Sequence, residues 1–147
     1  MREHLRAFGL SSLMGRHFAP PAYWMRVQAT LYVDSENAPD PDFVIAPVPI
    51  TAEIDAIIRP LLVIEVSDST LLYDQIVKGG LYAAHGIEDY WIINVNDRQL
   101  EVYREPVKDT LHRHGWRFRS CTTLRPPGQV TPLAKPEARI NLAELFG

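Results

Sequence analysis

Between Pro41 and Tyr82 the chain presents two carboxylates and an ammonium, Asp42, Glu65 and Lys78, in an order that suits a metal-dependent phosphodiesterase site. Glu65 lies near the end of the run from Leu61 to Ser67, otherwise almost wholly aliphatic and preceded by Pro60. Such a run reads as a strand covered on both faces. Side chains alternate along a strand, so Val63, Glu65 and Ser67 share one face while Leu62, Ile64 and Val66 share the other. An ionised carboxylate in an apolar element is costly unless a cation or hydrogen-bond donors meet it. Asp42 opens a shorter strand, residues 42–46, between Pro41 and Pro47. There it has a plainer reading too, because Asp is common at turns.

Lys78 needs a helix. Ser67, Asp68, Ser69 and Thr70 can each cap one whose body runs from Leu71 to about Ala84, stopped by His85-Gly86. On it Asp74, Lys78 and Tyr82 follow at i, i+4 and i+8 and line one stripe. A surface ion pair between Asp74 and Lys78 would account for two of them without any site. Leu72, Ile76 and Val77 are expected to supply much of the apolar side. Gly79-Gly80 sits mid-helix, where each glycine costs roughly 0.5–1 kcal/mol relative to Ala. Close backbone packing against the sheet would explain them.

The 147 residues, 46% hydrophobic, have the size of one globular domain. A single cysteine, Cys121, allows no intrachain disulfide and no thiolate metal cluster, and it reads as packing. No apolar run approaches the roughly 18 residues of a membrane span, and the start of the chain lacks the apolar core of a secretion signal. A cytoplasmic protein without membrane contact is expected. The net charge of −3 argues against a general polyanion binder, but its distribution is uneven. Residues 34–97 carry twelve acids against Arg59 and Lys78, a net of −10, whereas residues 98–119 carry six bases against three acids. An acidic centre beside basic segments suits a metal site next to a phosphate-contacting surface, although solvated loop charges would look the same.

The remaining elements must position the stretch 41–82. Residues 2–14 form an amphipathic helix with Leu5, Phe8 or Gly9, Ser12 and Leu13 on one side. A strand follows over 23–33, a polar turn over 34–41, and a linker or short helical turn over 52–59. After the Lys78 helix come a strand over 89–95, its hairpin partner at 100–104, and a further hairpin within 111–123 with Gly115 in the turn. Residues 126–136 read as loop, and 140–146 as a short closing helix or strand. The sum is an α/β fold, a mixed α+β sheet with flanking helices and one central helical crossover.

The ordered set of Pro41-Asp42, Glu65-Val66-Ser67, the helix with Asp74, Lys78 and Tyr82, and then residues 86–92 resembles the Uma-two family of restriction endonucleases in the PD-(D/E)xK nuclease superfamily. The match is strongest over 27–104, with a looser echo at 140–146. The resemblance implies a single restriction-endonuclease-like domain over 1–147, with Mg²⁺ or Mn²⁺ held by Asp42, Glu65 and the carbonyl of Val66. These hard oxygen ligands suit such ions and not Zn²⁺. The metal would activate a water for attack on a DNA phosphate, and Lys78 would orient that water or hold the phosphate. Ser67, Asp74 and Tyr82 take supporting positions.

Two departures stand out. The superfamily usually has Lys two residues after the Glu, where this chain has Ser67, so Lys78 is read as a migrated replacement. Relatives also begin with an extra strand pair and an acidic residue before the first helix. Either Met1 is a late start or a partner subunit completes the sheet, and the second alternative implies a homodimer.

Arg113, Arg117 and Arg119, interleaved with Trp116 and Phe118, read as contacts to a nucleic-acid backbone or as a solvated strand face. His112-x-His114 reads as surface or DNA contact ahead of a second metal site. The competing functions are a non-catalytic nuclease-fold module that binds nucleic acid, and a protein-interaction module.

Overall fold

The apolar run around Glu65 has no polar side to offer water, and it becomes the interior strand of a six-stranded sheet. The computed structural model describes residues 9–18, 23–27, 30–31, 36–47 and 60–146. The elements are α1 (Leu10–Gly15), β1 (Tyr23–Val27), β2 (Phe43–Pro47) and β3 (Leu62–Ser67), then a crossover helix that is π-helical over Tyr73–Lys78 and α-helical over Gly79–Ala84 (α2). They continue with β4 (Asp89–Asn94), β5 (Gln99–Lys108), β6 (Trp116–Leu124), β7 (Gln129–Val130), β8 (Ile140–Asn141) and α3 (Leu142–Phe146). The sheet order is β1-β2-β3-β4-β5-β6. Only β3 and β4 pair in parallel, and their connection is the crossover helix, as a parallel pair requires. β7 and β8 form a separate ribbon.

All six residues of β3 are buried, so both faces of the sheet are covered, as expected of its composition. Leu62, Ile64 and Val66 enter a cluster with Phe43, Ile45, Trp91 and Ile93, closed by Leu10, Met14 and Phe18 from the N-terminal side and Leu142, Leu145 and Phe146 from α3. Val63 joins the opposite cluster with Val44, Leu81, Tyr82, Tyr90, Ile92 and Phe118. The alternation expected along residues 61–67 holds. Glu65 and Ser67 lie on the face that the crossover helix covers.

Several elements differ from expectation. α1 buries Leu10, Leu13 and Met14 while Ser12 is exposed, because the stripe that meets the sheet is set by the two bulky neighbours and not by the small serine. Residues 2–8 and the linker at 52–59 lie outside the described residues, as do parts of the 23–33 strand and the 34–41 turn. β5 runs on to Lys108, and the hairpin expected within 111–123 is the far end of the β5–β6 pair, with Gly115 at φ 73° in its turn. Glu105, at φ 62°, breaks the alternation of β5 in a left-handed conformation uncommon outside glycine. Beyond it Phe118 and Trp116 turn onto the helix side, so the distal hairpin curls over α2. The closing segment is first strand, then helix.

The crossover helix is inverted relative to the amphipathic expectation. Leu72 and Ile76 are 70% and 55% exposed, while Asp74 and Tyr82 are buried. The sheet beneath carries Glu65, so the stripe that faces it is the polar one. The glycine pair also has a different cause. A Cβ on Gly79 would make ordinary contacts, but one on Gly80 would stand 1.8 Å from Cε1 of His112. The space is taken by a ring from the hairpin, not by the sheet.

Candidate functional site

The antiparallel register that sets Phe43 opposite Ile64 brings Asp42, one residue before β2, level with Glu65. The two residues are tied reciprocally. The main-chain N–H of Asp42 donates to Oε1 of Glu65 at 2.9 Å, and the N–H of Val66 donates to Oδ2 of Asp42 at 2.7 Å. Turn chemistry therefore does not describe Asp42, whose carboxylate is held by the neighbouring strand.

From above, the crossover helix supplies the rest. Lys78 Nζ lies 2.6 Å from Oε2 of Glu65 and 3.4 Å from Oδ1 of Asp74, so the ion pair is a half-buried bridge between helix and sheet. The Tyr82 hydroxyl reaches Oε2 of Glu65 at 3.4 Å. Asp74 is itself held: Thr70 Oγ1 donates to its Oδ2 at 3.0 Å, and Ser67 Oγ lies 3.5 Å from Thr70 Oγ1. Asp42, Glu65, Ser67, Asp74, Lys78 and Tyr82 thus belong to one connected group. The π-helical turn, a form that recurs at functional sites, spans Asp74 to Lys78 and sets their relative phase.

Glu65 is 1% exposed. Burial pushes its carboxyl up to about 7, and the nearby Lys78 ammonium opposes this without overcoming it, while the Asp42 charge adds to the rise. Burial draws Lys78 down, but Glu65 and Asp74 outweigh it and leave the ammonium above its ordinary range. Burial and the same carboxylates lift Tyr82 far up, so it stays a neutral donor. Three buried carboxylates, Asp42, Glu65 and Asp74, gather here, and the Lys78 ammonium touches two of them, Glu65 and Asp74. Each carboxylate oxygen can accept about two hydrogen bonds, so those already bonded retain acceptor capacity. This donor chemistry fits a hard cation, although among the described residues no three His, Cys, Asp or Glu side chains gather into a cage.

A third buried carboxylate lies in the row of Asp42 and Glu65, since Glu65 is opposite Ile92 and Ile92 is opposite Glu101. Glu101 accepts from Gln75 Nε2 (2.6 Å) and Tyr103 OH (2.8 Å) on one oxygen, and from Gln99 Nε2 (3.2 Å) and Asn94 Nδ2 (3.3 Å) on the other. Burial pushes its carboxyl up, but these donors prevail and the net shift is downward. Thr70 was expected only as a helix cap, and Gln75 and Glu101 were not expected in the site. A carboxylate between Leu100 and Val102 was the signal available for the last, the same signal that marked Glu65.

The basic residues do not join the group. Arg117 pairs with Asp109 at 3.2 Å and Arg119 with Glu105 at 2.9 Å, and both alternate with Trp116 and Phe118, which face the helix. Arg113 is exposed in the hairpin turn. Both ring nitrogens of His112 are engaged, Nδ1 by the N–H of His114 and Nε2 by the carbonyl of Ile76, which does not suit a metal ligand. Cys121 is exposed and not core packing.

A mixed sheet with a helical crossover and a carboxylate pair at its centre defines a nuclease-like fold. A solved structure with that fold, described as "a putative nuclease belonging to DUF820" from Anabaena variabilis, aligns with a TM-score of 0.61 and 16% identity, over 94% of this chain and 74% of that one. Residues 4–132 match the Uma2 family, described as "Putative restriction endonuclease", and the chain belongs to that family. No curated protein matches it. Among the described residues no helix is long and apolar enough to cross a membrane.

Proposed function

We propose that this protein is a metal-dependent endonuclease that hydrolyses DNA phosphodiester bonds at the pocket around Glu65. The observation that carries this reading is the gathering of buried acids there: Asp42 and Glu65 lie level on adjacent strands, joined by the Asp42 N–H to Glu65 at 2.9 Å, with Lys78 2.6 Å from Glu65 and 3.4 Å from Asp74. Asp42, Glu65 and the main-chain carbonyl of Val66 would hold Mg²⁺ or Mn²⁺. A bound ion would neutralise charge on the phosphate and lower the pKa of a bound water, so that it could lose a proton and attack as hydroxide. Lys78 holds a non-bridging phosphate oxygen or the attacking water. Tyr82, Asp74 and Ser67 hold these groups in place. Family membership and the nuclease-like fold favour DNA as the substrate.

The test is thermal melting of wild type and Glu65→Ala with and without Mn²⁺. A ligand that binds only the folded state stabilises it by about 2.7 kcal/mol at a hundredfold excess over its dissociation constant. Mn²⁺ is expected to raise the wild-type midpoint and leave the variant's unchanged, and Lys78→Ala is expected to abolish Mn²⁺-dependent nicking of plasmid DNA. An equal response of both proteins removes Glu65 from the metal site. A second reading, a non-catalytic module, is favoured by the Lys78–Glu65 ion pair, which already satisfies one carboxylate oxygen without a metal. DNA binding without any Mn²⁺ response identifies it.

A further inference from the structure

Two side chains from distant parts of the chain bond to main-chain carbonyls within the π-helical turn that carries Lys78. From the sheet, the Tyr90 hydroxyl donates to the carbonyl of Asp74 at 2.9 Å. From the β5–β6 hairpin, His112 Nε2 lies 2.9 Å from the carbonyl of Ile76. The tautomer follows from the other ring nitrogen: Nδ1 accepts the N–H of His114 at 3.2 Å, so Nε2 carries the proton and donates. The ring rests on Gly80, where a Cβ would stand 1.8 Å from Cε1 and 2.5 Å from Nδ1. Gly80 is therefore a seat, and its helical cost has a purpose. The hairpin reaches this seat because Glu105 turns the distal end of β5–β6 over the helix.

We infer that His112 is a positioning residue: seated on Gly80, it clamps the π-helical turn against Tyr90 and so holds Lys78 at Glu65. The clamp fixes the phase of one turn, whereas an α-helical relaxation would rotate Lys78 relative to Asp74. It bears on catalysis only through the site proposed above, and the experiment separates the two claims.

The measurement is a set of variants, His112→Ala, His112→Gln, Gly80→Ala and the Gly80→Ala/His112→Ala double variant, followed by hydrogen exchange and thermal melting. Exchange in the peptide covering residues 73–80 is expected to rise at least tenfold in His112→Ala, with β4 unchanged. His112→Gln keeps an Nε2 donor and is expected to restore protection. Gly80→Ala is expected to lower the melting midpoint in wild type by displacing the ring, and to raise it when His112 is already Ala, because Ala is the better helix former. In Mn²⁺-dependent plasmid nicking, His112→Ala is expected to lose at least tenfold in kcat with KM unchanged, and His112→Gln to recover it. A change of the same sign from Gly80→Ala in both backgrounds, or unaltered exchange at 73–80, overturns the clamp. If wild type does not nick DNA, the nuclease reading fails while exchange and melting still decide the clamp.

Discussion

The two faces of the sheet treat buried charge in different ways. On the face covered by α1 and α3, Asp89 is fully buried among apolar side chains, and every donor around it is aimed: Trp91 Nε1 at 2.7 Å, Arg104 Nε at 3.0 Å and the N–H of Leu133 at 2.9 Å. Arg104 in turn donates to the carbonyl of Thr131. One acid meets one base, and the cluster staples the loop at 131–133 to the sheet. On the helix face Lys78 meets two of the three acids, Glu65 and Asp74, and burial, which raises Asp89 too, lifts Glu65 to about 7.

The comparison breaks most readily at Asp89. Asp89→Ala strands the partly buried Arg104 and is expected to cost about 3–5 kcal/mol, read from the urea midpoint. An effect below about 1 kcal/mol would remove the distinction between the faces. Glu65→Gln sharpens it from the other side. Because the folded-state value of Glu65 lies above its ordinary 4.5, the native protein holds a proton that the unfolded chain releases, so stability falls as pH rises from 4.5 towards 7 and is level above that. Glu65→Gln is expected to match wild type near pH 4.5 and to exceed it at pH 8 by on the order of 3 kcal/mol. A pH-independent difference in urea titrations would show that Glu65 is not strained. The smallest effect is expected for Thr70→Val, which removes one hydroxyl donor from Asp74 and costs about 1 kcal/mol in the same titrations.

Glu65 was legible because a lone carboxylate in an aliphatic strand has a cost that composition alone reveals, and period-two alternation set its face. The helix at 71–84 and the parallel crossover followed from caps, length and the glycine stop. Its rotation did not follow. Naming Leu72 and Ile76 as the apolar side does not say which side meets the sheet, and the surface beneath the helix contains Glu65. The π-helical turn rephases the stripe further, and no local signal in residues 73–78 announces it. The landing of His112 on Gly80 joins positions 32 residues apart through a hairpin whose curl depends on a single left-handed residue, Glu105. Only the unexplained glycine pair hinted at it. Glu101 stood in plain view between apolar neighbours and was passed over because its donors come from four other residues.

The order of the strands has a kinetic side. β4, β5 and β6 are joined by short turns into a meander, so their pairing closes small loops. The carboxylate pocket instead draws on residues 42, 65 and 78, which meet only after β2 has found β3 and β3 has found β4 across the crossover. Non-local pairings of this kind form slowly, because loop entropy is lost before contacts reward it. A chain emerging from synthesis is therefore expected to hold its meander before it holds its pocket, and pulse-labelled exchange would record protection in β4–β6 ahead of β2. The pocket proposed as the nuclease site is thus complete only when the last strand is home.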